Sequence, residues 1–187
     1  MLLDPAAGYL LDLGGALLFA AAAAHKLGDL PAFTEAFVAF RVLPDAWARR
    51  AARLVPCVEL ATALALALTP ASASAATRRA AALAASGLLL AYASAIALNL
   101  VRGRRELDCG CGGRRDRRPI ASWMVWRNVM IAAALGAAAL PWTARPLGPA
   151  DVLTVAGGLT VAALLYAAVD RLCGEIAPRA LAMRGMP

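Results

Sequence analysis

Five apolar stretches, each near the length that crosses a bilayer, leave this chain few folds to choose from. They run from Gly8 to Ala24, Ala51 to Leu68, Ala80 to Val101, Ile120 to Leu140 and Ala150 to Leu172. A hydrocarbon core about 30 Å thick needs ~20 apolar residues in a helix. In a chain of 187 residues, 61% of them hydrophobic, five such stretches leave almost no polar exterior. Only 17% of the residues are charged, against roughly 25% in soluble domains. The expected fold is all-α: a polytopic membrane helix bundle of five transmembrane helices, with four possible and the bounds of the alanine-rich second stretch the least defined. Residues 1–187 form one membrane domain, with no repeat or long linker. Alanine and glycine suit it, because small side chains let helices approach where lipid supplies no hydrophobic drive. The first stretch is not read as a signal peptide, since it lacks a basic leader, carries Asp12 and runs into His25-Lys26.

The connections add detail. Phe33, Phe37 and Phe40 fall at helical spacing between Pro31 and Pro44, which predicts a short amphipathic helix within 28–45, lying on the membrane surface. Residues 102–119 hold Leu107-Asp108-Cys109-Gly110-Cys111-Gly112-Gly113 among arginines. With five crossings, the 25–50 connection, this cysteine loop and the C-terminal tail share one side. Cys57 is six residues inside the second stretch on that side, about 9 Å deep at 1.5 Å per residue. Cys173 sits where the last stretch emerges on the same side. All four cysteines are expected to converge.

Cys109, Cys111, Cys57 and Cys173 are therefore the candidate redox residues. A Cys-Gly-Cys pair can close a small, strained and readily reduced disulfide, and the glycines permit the backbone angles it needs. Arg104, Arg105, Arg114 and Arg115 would favour the thiolate, while Cys57 is expected in apolar surroundings. Two other readings stay open. Thiolates are soft ligands for zinc or copper, although Cys-x-Cys is not the commonest zinc spacing. Cys57 and Cys173 could also be packing residues of a purely structural membrane assembly partner.

Charge inside the stretches is expensive. Glu59 and Arg127 lie about 12 and 10 Å deep from the cysteine side, where an unpaired charge costs several kcal/mol. A Glu59–Arg127 ion pair is expected, with Asn99 and Asn128 as hydrogen-bond partners, and Glu59 is close enough in sequence to relay a proton for Cys57. His25 and Lys26 end the first stretch, as interfacial anchors or as acid–base support for the thiols. Trp123 and Trp126 are expected to anchor at the headgroups.

Taken together, the HKL run at 25–27, the Phe-rich segment ending in Leu43-Pro44, Pro56-x-x-Glu59-Leu60, the Asp108-Cys109-Gly110-Cys111-Gly112 loop and Arg127-Asn128 resemble the MauE family. That family sits within the DoxX-like redox-associated membrane proteins, and the likeness covers nearly the whole chain. Gly113 stands where the family commonly has phenylalanine. The resemblance implies a thiol–disulfide redox protein of the inner membrane that helps mature the disulfide-rich small subunit of methylamine dehydrogenase, in company with a thioredoxin-like (MauD-like) partner. The architecture also resembles quinone-reducing disulfide generators. No cofactor motif is evident; a quinone stays open, although the chain has no Cys-x-x-Cys, which counts against quinone reduction by their route.

The remaining expectations come from charge. Arginines crowd the cysteine side, whereas Arg78, Arg79 and Arg145 alone mark the other. The positive-inside rule puts the cysteines in the cytoplasm, while disulfide making belongs outside. The net charge of +7 is not a nucleic-acid signature, because the arginines cluster at membrane boundaries beside anionic lipid headgroups.

Overall fold

A computed structural model describes residues 2–72, 74–108 and 119–184, with side chains from 69 to 72 and from 175 onward outside the description. Six helices follow one another: α1 Pro5–Gly28, α2 Leu30–Ala39, α3 Asp45–Ser72, α4 Ala75–Val101, α5 Ser122–Ala138 and α6 Pro149–Arg184. Local chemistry sets their starts. Asp4 accepts from the Ala6 amide and is followed by Pro5, and Asp29 accepts from the Ala32 amide at 3.2 Å. Ser74 takes the Thr77 amide at 3.3 Å. Each side chain satisfies an amide that the helix itself leaves unpaired. Arg41, at a φ of 49°, turns the chain between α2 and α3.

Among the described residues, four helices are long and apolar enough to cross a membrane: α1, α3 from Asp45 to Leu68, α4, and α6 from Pro149 to Gly174. This is a multi-pass membrane protein. At 17 residues, α5 is about 25 Å long and shorter than those four, yet it too runs from one end of the bundle to the other. Near its start Arg127 pairs with Asp170, late in α6. Just past its end Trp142 lies against Gly8, in the first turn of α1, and under Arg78 of α4. Leu3 and Trp142 form an isolated parallel bridge there, with Leu3 N–H bonded to Pro141 O at 2.8 Å.

Each inward stripe repeats every three or four residues, as a helix requires. On α3 it is Ala52, Pro56, Glu59, Ala63 and Leu66; on α4 it is Ala82, Ala85, Leu89, Ala93, Ile96 and Asn99. The core gathers Ala16, Phe19, Ala63, Leu66, Ala85, Leu89, Ala132 and Leu135 from α1, α3, α4 and α5. Small residues set how closely these helices approach. A Cβ on Gly15 would sit 2.7 Å from a Leu135 methyl, and one on Gly8 only 2.3 Å from the Trp142 ring. Helix α6 packs on α1 at the margin of this core, and its Leu153, Leu164 and Leu172 point outward.

Several helices overrun the apolar stretches; α3 begins at Asp45 and continues through Thr69-Pro70 to Ser72. Lys26, two residues from the end of α1, meets Glu59, fourteen residues into α3. The start of α3 therefore overhangs α1 by several turns, and α2 packs on that overhang. This helix falls within the 28–45 segment expected to form one. Phe33 is buried, Phe37 and Phe40 are half-buried, and all three line the interior of the bundle.

Candidate functional site

Beneath α2, between α1, α3, α4, α5 and α6, lies a cavity of about 580 Å³, within the ~300–1,000 Å³ usual for small-molecule sites. Its wall is mainly apolar, with Phe19, Phe33, Phe37 and Phe40 among the lining residues. Two charged clusters are set into that wall.

The first joins α1, α3 and α4. Glu59, with 0% exposure, accepts hydrogen bonds through one oxygen from the Lys26 ammonium and from the Tyr92 hydroxyl, the latter at 2.8 Å. Lys26 Nζ also sits over the Phe33 and Tyr92 rings, 5.4 and 5.3 Å from their centroids. These contacts offset part of the cost of removing the ammonium from water. The second carboxylate oxygen of Glu59 has no hydrogen-bond partner among the described residues. In the second cluster Arg127 donates to Asp170 Oδ1 at 2.7 Å and lies between the Trp123 and Tyr166 rings, at 4.9 and 5.4 Å. Asn128 lines the same cavity.

The expected Glu59–Arg127 ion pair is therefore not formed. Both residues line the cavity, but Glu59 is taken by Lys26 and Arg127 by Asp170. The reason is register: Lys26 continues the inward stripe of α1 through Phe19 and Ala23 and is itself buried, instead of turning to the interface. Nor does Asn99 serve that pair; it bonds Ala95 O and accepts from Arg104. His25, one residue off the stripe, is exposed on α1 yet reaches the cavity lining. Trp126 points outward, whereas Trp123 stacks with Arg127. Tyr92 and Asp170 went unremarked in the sequence. Tyr92 falls three residues after Leu89 and four before Ile96, on the inward stripe of α4, a signal that was there to read.

The cysteines divide. Cys109 and Cys111 lie outside the described residues, as do Arg114 and Arg115. The segments entering and leaving their loop are described and pinned together: Ile120 N–H donates to Leu107 O at 2.9 Å, and Asp108 bridges Pro119. This stem packs with Ile96, Met124 and Phe40, which also line the cavity. Arg104, just before the stem, is anchored. Its guanidinium holds Ala39 O at 2.7 Å, Phe40 O at 3.4 Å and Asn99 Oδ1 at 3.0 Å, tying the end of α2 to the end of α4.

Cys57 is exposed on the outer side of α3, away from the cavity, its Sγ 3.9 Å from Arg53 O. It follows the inward Pro56 by one residue, hence by a 100° turn, and α3 starts six residues earlier than the apolar stretch. Cys173, on the last described turns of α6, is half-buried.

The family described as methylamine utilisation protein MauE matches residues 5–143, from the first residue of α1 to just past α5. The chain belongs to the MauE family. It is 45% identical over 160 residues to the methylamine utilization protein MauE of Paracoccus versutus, covering 85% of this chain and 83% of that one. Its identity to the Paracoccus denitrificans protein of the same name is 37% over 177 residues, covering 92% and 90%. To that of Methylophilus methylotrophus it is 33% over 180 residues, covering 93% and 90%. No solved structure matches the chain. The family match takes in the Lys26–Glu59–Tyr92 cluster, Arg127 and the cysteine loop; Tyr166 and Asp170 lie beyond it.

Proposed function

We propose that this chain serves methylamine utilisation as a membrane thiol–disulfide protein, relaying electrons between its Cys109–Cys111 dithiol and a thioredoxin-like partner. Its client would be a disulfide-rich protein such as the small subunit of methylamine dehydrogenase. The observation that carries the reading is the closed stem Leu107–Asp108/Pro119–Ile120. It gathers the two ends of the dithiol segment at one end of the bundle, in an enclosure fixed by Arg104. A dithiol tethered at a membrane surface can exchange with a soluble partner through a mixed disulfide. The relay as proposed uses these two thiols; Cys57, on the outer side of α3, is not among the residues lining the cavity.

The test is a trap. The full chain is co-expressed with a thioredoxin-like protein whose resolving cysteine is serine, and mixed disulfides are collected on non-reducing gels. Cys109→Ser and Cys111→Ser should each alter the trapped species, and the double variant should abolish it along with client maturation. Normal maturation by the double variant overturns the reading and leaves an assembly role. Alkylation of Cys109 and Cys111 in intact cells with a membrane-impermeant reagent fixes the side on which the exchange occurs.

A further inference from the structure

The cavity beneath α2 has a composition that narrows its occupant. Its walls are apolar and aromatic, so the ligand partitions into the bilayer. Yet two ion pairs stand in those walls, an arrangement that costs desolvation energy a purely hydrocarbon ligand would never repay. The charges balance, with Lys26 and Arg127 against Glu59 and Asp170. A site for a lipid phosphate would show an excess of cations; this one suits a neutral head that both accepts and donates hydrogen bonds. Acceptors on the ligand can take the remaining protons of the Lys26 ammonium and the amide of Asn128. A donor can meet the Glu59 oxygen that has no partner among the described residues, at a residue with 0% exposure. Four phenylalanines, Tyr92 and Tyr166 give flat faces for a planar ring.

From these features we propose that the cavity is a binding site for a membrane quinone. The oxidised head carries two carbonyl acceptors, and the reduced head carries hydroxyls that Glu59 can accept. Lys26, Glu59 and Tyr92 form the polar end of the site, and the phenylalanines hold the ring. Phe40, Ile96 and Met124 belong both to the cavity wall and to the packing beneath the stem of the cysteine loop. The site therefore adjoins the segment that the dithiol reading assigns to thiol exchange.

Resting on that reading, the electron balance is simple. Two S–H bonds at Cys109 and Cys111 give way to one S–S bond. The two electrons and two protons reduce one quinone to hydroquinone, forming two O–H bonds. A new disulfide can then be passed to the thioredoxin-like partner.

Binding is tested apart from the thiols. The Cys109→Ser/Cys111→Ser double variant is placed in nanodiscs and titrated with tritiated decylubiquinone, with empty nanodiscs as background. Saturable binding of one quinone per chain is expected. Ala22→Leu and Ala95→Leu, which add bulk to the cavity lining, should each weaken it at least tenfold without lowering the thermal midpoint. Tyr92→Phe should weaken it several-fold. Uptake no greater than in empty discs, or equal affinity in the filled-cavity variants, overturns the proposal. So does a co-purified phospholipid that decylubiquinone cannot displace. In the second arm, the unsubstituted protein with reduced thiols should bleach the quinone absorbance while the double variant does not. Binding without bleaching leaves the quinone site standing and removes its coupling to the thiols. A trapped mixed disulfide without quinone binding does the reverse.

Discussion

The Lys26–Glu59 pair offers the sharpest physical test of how this bundle is held together. Lys26→Met leaves Glu59 at 0% exposure with the Tyr92 hydroxyl as its remaining charged-group bond. Stranding one member of a buried pair costs ~3–5 kcal/mol, and the retained bond, of a kind worth ~1.5–3 kcal/mol, puts the expected loss near the lower end, about 3 kcal/mol. Glu59→Leu strands the ammonium between two rings at 5.4 and 5.3 Å. Desolvated cation–π contacts return ~2 kcal/mol, so the loss is again about 3 kcal/mol. The double variant Lys26→Met/Glu59→Leu removes both charges from an apolar wall, a change that ranges from neutral to stabilising by ~4 kcal/mol in other buried pairs. Its expected loss is under about 1 kcal/mol, which against two single losses of about 3 kcal/mol each makes the coupling about 5 kcal/mol or more. The assay is reversible unfolding of the full chain in mixed micelles by SDS titration, followed by far-UV circular dichroism. If the two single losses sum to the double within ~0.5 kcal/mol, the residues do not act as a pair and the reasoning fails.

Two further expectations concern the end of the bundle away from the cysteine loop, and use the same unfolding assay. Gly8→Ala should destabilise by ~1–3 kcal/mol, because its Cβ would enter the Trp142 ring at 2.3 Å, whereas Gly87→Ala, with nothing within 4 Å, should gain up to ~1 kcal/mol from helix propensity; equal effects would refute the close approach. The Arg145 guanidinium, bonded to both Asp4 oxygens at 2.8 Å, holds the Asp4 carboxyl below its ordinary value of 3.8. A carboxylate with a depressed pKa adds stability above its unfolded value and loses it as pH falls through the folded one. The stability gap between the unsubstituted chain and Asp4→Asn should therefore be present at pH 6 and close below about pH 3.8; a gap constant with pH would refute the clamp.

How much of this was legible beforehand follows from what each level of information contains. Apolar runs of bilayer length determine helices, since no other open element satisfies its backbone in lipid. The helical bundle, the short helix within 28–45, the cost of charge at Glu59 and Arg127, and the family itself were therefore all written in the chain. Which charge meets which was not. Pairing depends on helix rotation and axial offset, and a residue one position off the stripe swings through 100°. That turn is what exposes Cys57 beside buried Pro56 and sends Lys26 inward beside exposed His25. The overhang of α3 past α1, which lets α2 roof a cavity with its phenylalanines, likewise exists only once helices pack. Sequence thus supplied the elements and the price of burying charge; tertiary packing alone chose the partners, because rotation and offset are set by the fit of small residues across interfaces, not by any one helix.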